Sequence, residues 1–326
     1  MKVAQRNCLE VENGAMGAIT DVAGIKVGHQ QRSGDGWMTG VTVVLPPPGT
    51  VGSVDVQGGG PATHETDALD PTTLVSAVDA VVLTGGSAYG LVSASGAQAW
   101  CEENNRGFAV PGGVVPIVPA AAIFDLGRGG DFSARPTAEM GYTATAAAAA
   151  EKDGHDVGRG NVGAGTGAVI AGAFKGGVGT ASATLANGVV VGAIAVVNAL
   201  GLPFDQTKPE VPVPVKAATT TSTTLVVVAT NAVLDVAECK RTAAASHAGI
   251  ARALNPSHTL ADGDTVFCLS TQAVALDRTD KAARQSTLIT LQSAAADVVR
   301  LAILDGVASA EAVSTPAGDY GAYNAR

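Results

Sequence analysis

The stretch Thr219-Thr220-Thr221-Ser222-Thr223-Thr224-Leu225-Val226-Val227-Val228-Ala229-Thr230-Asn231 sets a run of hydroxyl side chains directly against a β-branched, apolar strand. Just before it, Leu202 to Lys216 holds Pro203, Pro209, Pro212 and Pro214 among polar residues, the composition of an extended connector. A cut in this region would leave a threonine at a new N-terminus. One residue would then carry a nucleophilic hydroxyl and an α-amine, whose ordinary pKa of about 7.7 to 8.0 suits a base near neutral pH. Composition alone reads the run as a flexible loop, so the chemistry rests on what surrounds it.

Working outward, the pattern predicts a strand at Leu225 to Thr230, a helix from Asp235 to Leu254, a strand at Asp264 to Leu269 and a helix from Lys281 to Asp305. Ala282, Leu288, Leu291, Ala295, Val298 and Leu301 give that last helix an apolar stripe at spacings near three and four. Upstream, strands are predicted at Ile19 to Val27, Val41 to Leu45, Val78 to Leu83, Gly163 to Ile170, Gly177 to Thr184 and Val189 to Val197. The last is a nearly unbroken apolar run, as expected of a strand covered on both faces. Helices are predicted at Ser87 to Asn104, rich in Gly and Ala, and at Pro136 to Lys152, where Pro136 suits a first turn. Strands and helices interleave on both sides of the connector, so a single layered α/β domain over residues 1 to 326 is expected.

Composition removes several classes of function. A formal net charge of -9 without a basic cluster argues against nucleic acid. The apolar stretch Gly188 to Phe204 is interrupted by Asn198 and Pro203 and falls short of the roughly 20 clean apolar residues that span a bilayer, so no membrane association is expected. Met1 to Glu10 lacks the apolar core of a secretory signal, and a cytoplasmic location is expected. Cys8, Cys101, Cys239 and Cys268 form no CxxC pair and read as reduced, mostly buried thiols.

The obvious catalytic motifs fail on their own terms. Gly163-Ala164-Gly165-Thr166-Gly167-Ala168 loosely matches a dinucleotide fingerprint but leads into an apolar run, and no GK[ST] follows any glycine loop, so no nucleotide cofactor is expected. Gly85-Gly86-Ser87-Ala88-Tyr89-Gly90 nearly matches a nucleophile elbow, but Tyr89 stands where GxSxG needs glycine, and Ser87 reads as a helix N-cap. His29, His64, His155, His247 and His258 show no ligand spacing and read as surface or packing residues, with no metal expected. An enzyme without an evident histidine base needs another proton acceptor, and a terminal amine would supply one.

Thr223-Thr224-Leu225-Val226-Val227-Val228-Ala229-Thr230-Asn231, followed by Asp262-Gly263-Asp264-Thr265-Val266-Phe267, resembles the start and continuation of the small subunit in the DmpA-type aminopeptidase family, which includes nylon-oligomer hydrolases. Supporting motifs are Gly58-Gly59-Gly60-Pro61 with Glu65-Thr66-Asp67, Leu83 to Leu91, Gly163 to Gly167, and Phe174-Lys175-Gly176-Gly177. The resemblance covers roughly Gly17 to Ser270. It implies a four-layer α/β/β/α sandwich of the DmpA and ornithine acetyltransferase type. It also implies self-cleavage between Ser222 and Thr223 into residues 1 to 222 and 223 to 326, and hydrolysis of small peptides or amides without a cofactor. A homo-oligomer is implied as well, with a tetramer as the expectation.

By matching position, Thr223 would be the nucleophile, Lys175 would sit beside it, Asn198 would help hold the oxyanion, and Asp262 and Asp264 would orient the threonine and its amine. Phe124 and Tyr89 would contact substrate. Two positions depart from the family's pattern: Ser222 precedes the cut where members carry Asn or Gly, and Phe124 replaces a substrate-side tyrosine. The rival expectations are acyl transfer of the ornithine acetyltransferase kind and an uncleaved binding protein.

Overall fold

Two five-stranded sheets lie face to face with a pair of helices outside each. The computed structural model describes residues 17–204 and 221–323. Cys8, the connector prolines 209, 212 and 214, and the threonines 219 and 220 lie outside the described residues. The first sheet contains Lys26–Gly34 (β1), Trp37–Leu45 (β2), Thr63–His64 (β4), Val81–Thr84 (β5) and Ala120–Ala122 (β6); the second contains Val51–Val56 (β3), Val178–Thr184 (β7), Val190–Asn198 (β8), Thr223–Ala232 (β9) and Thr265–Val274 (β10). The spatial orders are β1-β2-β5-β6-β4 and β7-β8-β9-β10-β3. All neighbours run antiparallel except β5 with β6 and β9 with β10.

Side-chain alternation along the strands sorts the core into layers. On β9, Leu225, Val227 and Ala229 point into the space between the sheets, where they meet Val44, Leu83 and Ile123 of the first sheet and Phe267 of β10. Val226 and Val228 point the other way, into a core shared with Val236–Ala253 (α4) and Lys281–Ala308 (α5). A third core joins Val41 and Val43 of β2 to Ser93–Glu103 (α2) and Ala138–Ala150 (α3). The layers therefore run α/β/β/α, as expected from the resemblance.

The helix starts follow local chemistry. Thr137 caps α3 by accepting Met140 N–H at 3.3 Å, one residue beyond the predicted Pro136. Asp235 caps α4 in a reciprocal box with Glu238, and Asp280 caps α5 by accepting Ala283 N–H at 2.8 Å. By length and composition α5 could cross a membrane, but Leu291, Ala295, Val298, Ala302 and Ile303 are buried against the second sheet.

Four expectations need correction. Ile19 to Val27 is not one strand: Ile19–Asp21 is a 3-10 turn, tied by Ala18 N–H donating to Asp21 Oδ2 at 2.9 Å, and β1 begins only at Lys26. Ser87 to Asn104 is broken into Ser87–Gly90 (α1) and α2, because the amides of Ala94 and Ser95 bond back only three residues. Gly163–Gly167 is a buried 3-10 turn, and of the predicted strand just Val169–Ile170 pairs as a strand. Leu202–Pro203, assigned to the connector, pairs with Leu254–Asn255.

Candidate active site

The strand ladder places Thr223 opposite Asn198. The last pair in the β8 and β9 register is Asn198 with Thr223, and on both strands these residues fall on the face turned between the sheets. Thr223 is buried at the start of β9, at 4% exposure, so its hydroxyl lies in a site walled by protein.

The Ser222–Thr223 peptide is held from several sides. Thr223 Oγ1 donates to the Ser222 carbonyl oxygen at 2.5 Å, and Gly263 N–H donates to the same oxygen at 2.8 Å. Ser222 N–H in turn donates to Ala261 O at 3.0 Å. The Gly263 amide on this carbonyl oxygen draws electron density from its carbon and favours a developing negative charge there. Gly263 has to be glycine at this spot: a Cβ would fall 2.7 Å from Thr223 Oγ1.

The loop before β10 supplies the two aspartates. Asp262 Oδ2 accepts Thr259 N–H at 2.8 Å and Thr259 Oγ1–H at 2.6 Å, which shapes the turn that presents Gly263. Burial, with the charge of Asp264 nearby, pushes the Asp262 carboxyl above the usual carboxylate range. Asp264 reaches the residue after Thr223, accepting Thr224 N–H at 2.7 Å on Oδ1. Its other oxygen accepts His258 N–H at 2.9 Å and lies 2.8 Å from His258 Nδ1.

The opposite wall is a buried charge cluster. Asn198 Oδ1 accepts Val169 N–H at 3.1 Å and Arg128 Nη1–H at 2.5 Å, and its Nδ2 faces the Phe124 carbonyl at 3.4 Å. Arg128 also donates to Gly167 O at 2.5 Å. Asp125 accepts Thr39 Oγ1–H and Gly86 N–H, both at 2.6 Å. Burial pushes the Asp125 carboxyl upward, opposed by those two bonds and by Arg128 and Lys175. A Cβ on either Gly85 or Gly167 would fall 2.1 Å from Asp125 Oδ2. The glycine-rich motif that fails as a dinucleotide loop and the one that fails as a nucleophile elbow therefore both wrap this carboxylate.

Lys175 is fully buried in the same cluster, but its three ammonium hydrogens meet the carbonyls of Gly165 at 3.1 Å, Thr166 at 3.1 Å and Ala168 at 2.5 Å. Burial, reinforced by Arg128 and opposed by Asp125, brings its pKa down to about 7. With all three donors taken by backbone carbonyls, Lys175 makes no hydrogen bond to Thr223.

Ser87 is corrected: Gly86 is the N-cap of α1, and Ser87 itself has a left-handed φ of 52°. Tyr89 is exposed, with the Arg135 guanidinium 3.8 Å over its ring, and Phe124 is half-buried beside Asp125. Asp125, Arg128 and the pair His247 and His258 were not picked out from sequence. The one signal for Asp125 was a lone charge in the apolar run Ile117 to Leu126.

The chain is 48% identical over 336 residues to an uncharacterized aminopeptidase of Mycobacterium tuberculosis, covering 92% of this chain and 96% of that one. Its fold superposes on a β-aminopeptidase of Burkholderia sp. with a TM-score of 0.72 at 25% identity, covering 96% and 93% of the two chains. It superposes on an L-aminopeptidase D-Ala-esterase/amidase of Ochrobactrum anthropi, described as a variant of the Ntn-hydrolase fold, with a TM-score of 0.73 at 23% identity, covering 95% and 92%. Residues 17–320 match peptidase family S58, and the chain belongs to that family, as a peptidase with the Ntn-hydrolase type of fold.

Proposed function

We propose that this chain is a self-processing aminopeptidase whose nucleophile is Thr223. The observation that carries the reading is the Thr223 hydroxyl, buried and 2.5 Å from the carbonyl oxygen of the peptide bond before it, with Gly263 N–H on that same oxygen at 2.8 Å.

In the first step Thr223 Oγ adds to the Ser222 carbonyl carbon, and the oxygen keeps its bond to Gly263 as it becomes an oxyanion. The Ser222–Thr223 C–N bond breaks as the nitrogen takes the hydroxyl proton, leaving an ester between Ser222 and the Thr223 oxygen. Water hydrolyses that ester, giving a Ser222 carboxylate on one fragment and a free Thr223 amine on the other. In turnover the amine takes the hydroxyl proton while Oγ attacks a substrate amide, the leaving amine departs, and water releases the acyl group. Asn198, opposite Thr223 in the ladder, supplies an amide to the developing charge. Lys175 and Arg128 favour the neutral form of the new amine.

The substrate is a short peptide or amide, in keeping with the aminopeptidase relatives. Membership of family S58 favours water over an amino acid as the acyl acceptor. Intact-mass measurement of the purified protein tests the reading: fragments ending at Ser222 and starting at Thr223 are expected, and a chain that stays whole on prolonged incubation overturns it. Thr223→Ala is expected to abolish both cutting and amide hydrolysis.

A further inference from the structure

Behind the aspartates lies a second row of groups. His258 Nδ1 is 2.8 Å from Asp264 Oδ2, and its backbone amide donates to that same oxygen at 2.9 Å. The ring of His258 stacks edge-on against His247, centroids 4.8 Å apart. His247 comes from α4, is 3% exposed, and turns its Nε2 to the Asp55 carbonyl oxygen at 3.1 Å and carboxylate at 3.5 Å. Asp264 passes the contact on to Thr224 N–H at 2.7 Å, one residue from Thr223. The array Asp55, His247, His258, Asp264 is thus continuous from β3 to the nucleophile's strand.

His258 also has a left-handed φ of 55°, a conformation that costs a residue with a Cβ free energy and persists only where its surroundings hold it. This strain sits on the residue whose backbone amide donates to Asp264 and whose ring lies against the same carboxylate.

A free α-amine at Thr223 must be neutral to accept a proton, yet Asp262 and Asp264 beside it both favour the protonated form. We propose that His258 is a positioning residue that acts through Asp264. Its imidazolium offsets that carboxylate and fixes it on Thr224 N–H, so that the Thr223 amine is unprotonated at neutral pH. The inference rests on the reading of Thr223 as an N-terminal nucleophile.

The titratable groups facing His258 are Asp264 and Asp262 from the adjoining turn and His247 from α4, with Asp55 of β3 behind it. Burial lowers the pKa of both histidines; for His258 the bond and charge of Asp264 override it and the net direction is up, whereas His247 stays lowered. Of the two rings, His258 is the one whose surroundings favour the proton.

The test is the pH profile of kcat on an amino-acid amide for processed wild-type, His258→Asn and His258→Lys enzymes, with processing followed by intact mass. Asn tolerates the left-handed backbone and removes the charge, whereas Lys keeps a cation at every working pH. Removing a cation within several ångströms is expected to move the acid limb upward by about one pH unit in His258→Asn, and His258→Lys is expected to return it towards wild type. A purely structural role would lower the amplitude and leave the limb in place. Processed His258→Asn with the wild-type acid limb overturns this inference alone. A wild-type chain that never releases a fragment starting at Thr223 overturns the underlying reading and this one with it.

Discussion

At the residue scale, the decisive contact is between Gly263 and Thr223. Gly263→Ala would thrust a methyl group 2.7 Å from Thr223 Oγ1, against the hydroxyl that attacks the Ser222 carbonyl in the proposed self-cleavage. The loop must shift, and the amide on the Ser222 oxygen shifts with it. Cutting is expected to slow by roughly 10²- to 10³-fold, the scale of losing one oxyanion donor, while thermal unfolding changes little. Time-resolved mass spectrometry alongside calorimetry checks both halves. That Thr223 lies against the Asp262-Gly263-Asp264 turn was expected from the family resemblance, which rests on short, ordered motifs of this kind. Asp125, Arg128 and His258 were not. Their partners lie in other elements, as Arg128 to Asn198 and Asp125 to Thr39 show, and no periodicity or spacing rule connects residues joined only by folding.

At the element scale, α4 is fixed at its start by a cap that is also a charge cluster. The Glu238 carboxylate accepts from Asp235 N–H at 3.2 Å, from Arg278 at 2.6 and 2.8 Å and from Arg284 at 2.8 Å. Burial alone would raise its pKa, but the two guanidinium partners win and hold it at about 2 against an ordinary 4.5. The folded form binds this proton less tightly than the unfolded form, so the stabilisation is fully present above about pH 5 and is lost as pH falls towards 2. By the linkage relation this group contributes about 3 kcal/mol at most near neutral pH. Glu238→Gln is expected to flatten the acid side of the stability curve between those limits, measured by urea unfolding at several pH values. Asp235→Ala, which removes the bond to Glu238 N–H at 2.7 Å, is expected to cost about 1 kcal/mol in the same assay. The long elements were legible from their patterns: β8, β9, α4 and α5 begin within two residues of their predicted starts. The breaks within 19–27, 87–104 and 163–170 were not legible. Each depends on a local hydrogen bond or a close backbone approach that composition does not register.

At the scale of the whole molecule, the two sheets share a layer in which Phe267, Leu83, Ile123, Ile194 and Val227 are all fully buried. Phe267→Ala is expected to cost about 3 to 5 kcal/mol in denaturant unfolding, since the space it fills is bounded by both sheets. Severing the chain before Thr223 leaves β9 between β8 and β10, with seven or more residue pairs along each side. Fragments 1 to 222 and 223 to 326 are therefore expected to co-elute in native gel filtration and to separate only in denaturant. The edge strand β3 has a further consequence. It is made early in the chain, yet its partner β10 begins more than 200 residues later, and the Gly263 amide that grips Ser222 arrives just before β10. A nascent chain that has reached Thr223 has neither. Under the proposed self-cleavage, chemistry at that bond would work as a completion signal: it waits until the segment carrying Gly263 has docked beside Ser222, and a chain ending before Gly263 is expected to stay uncut.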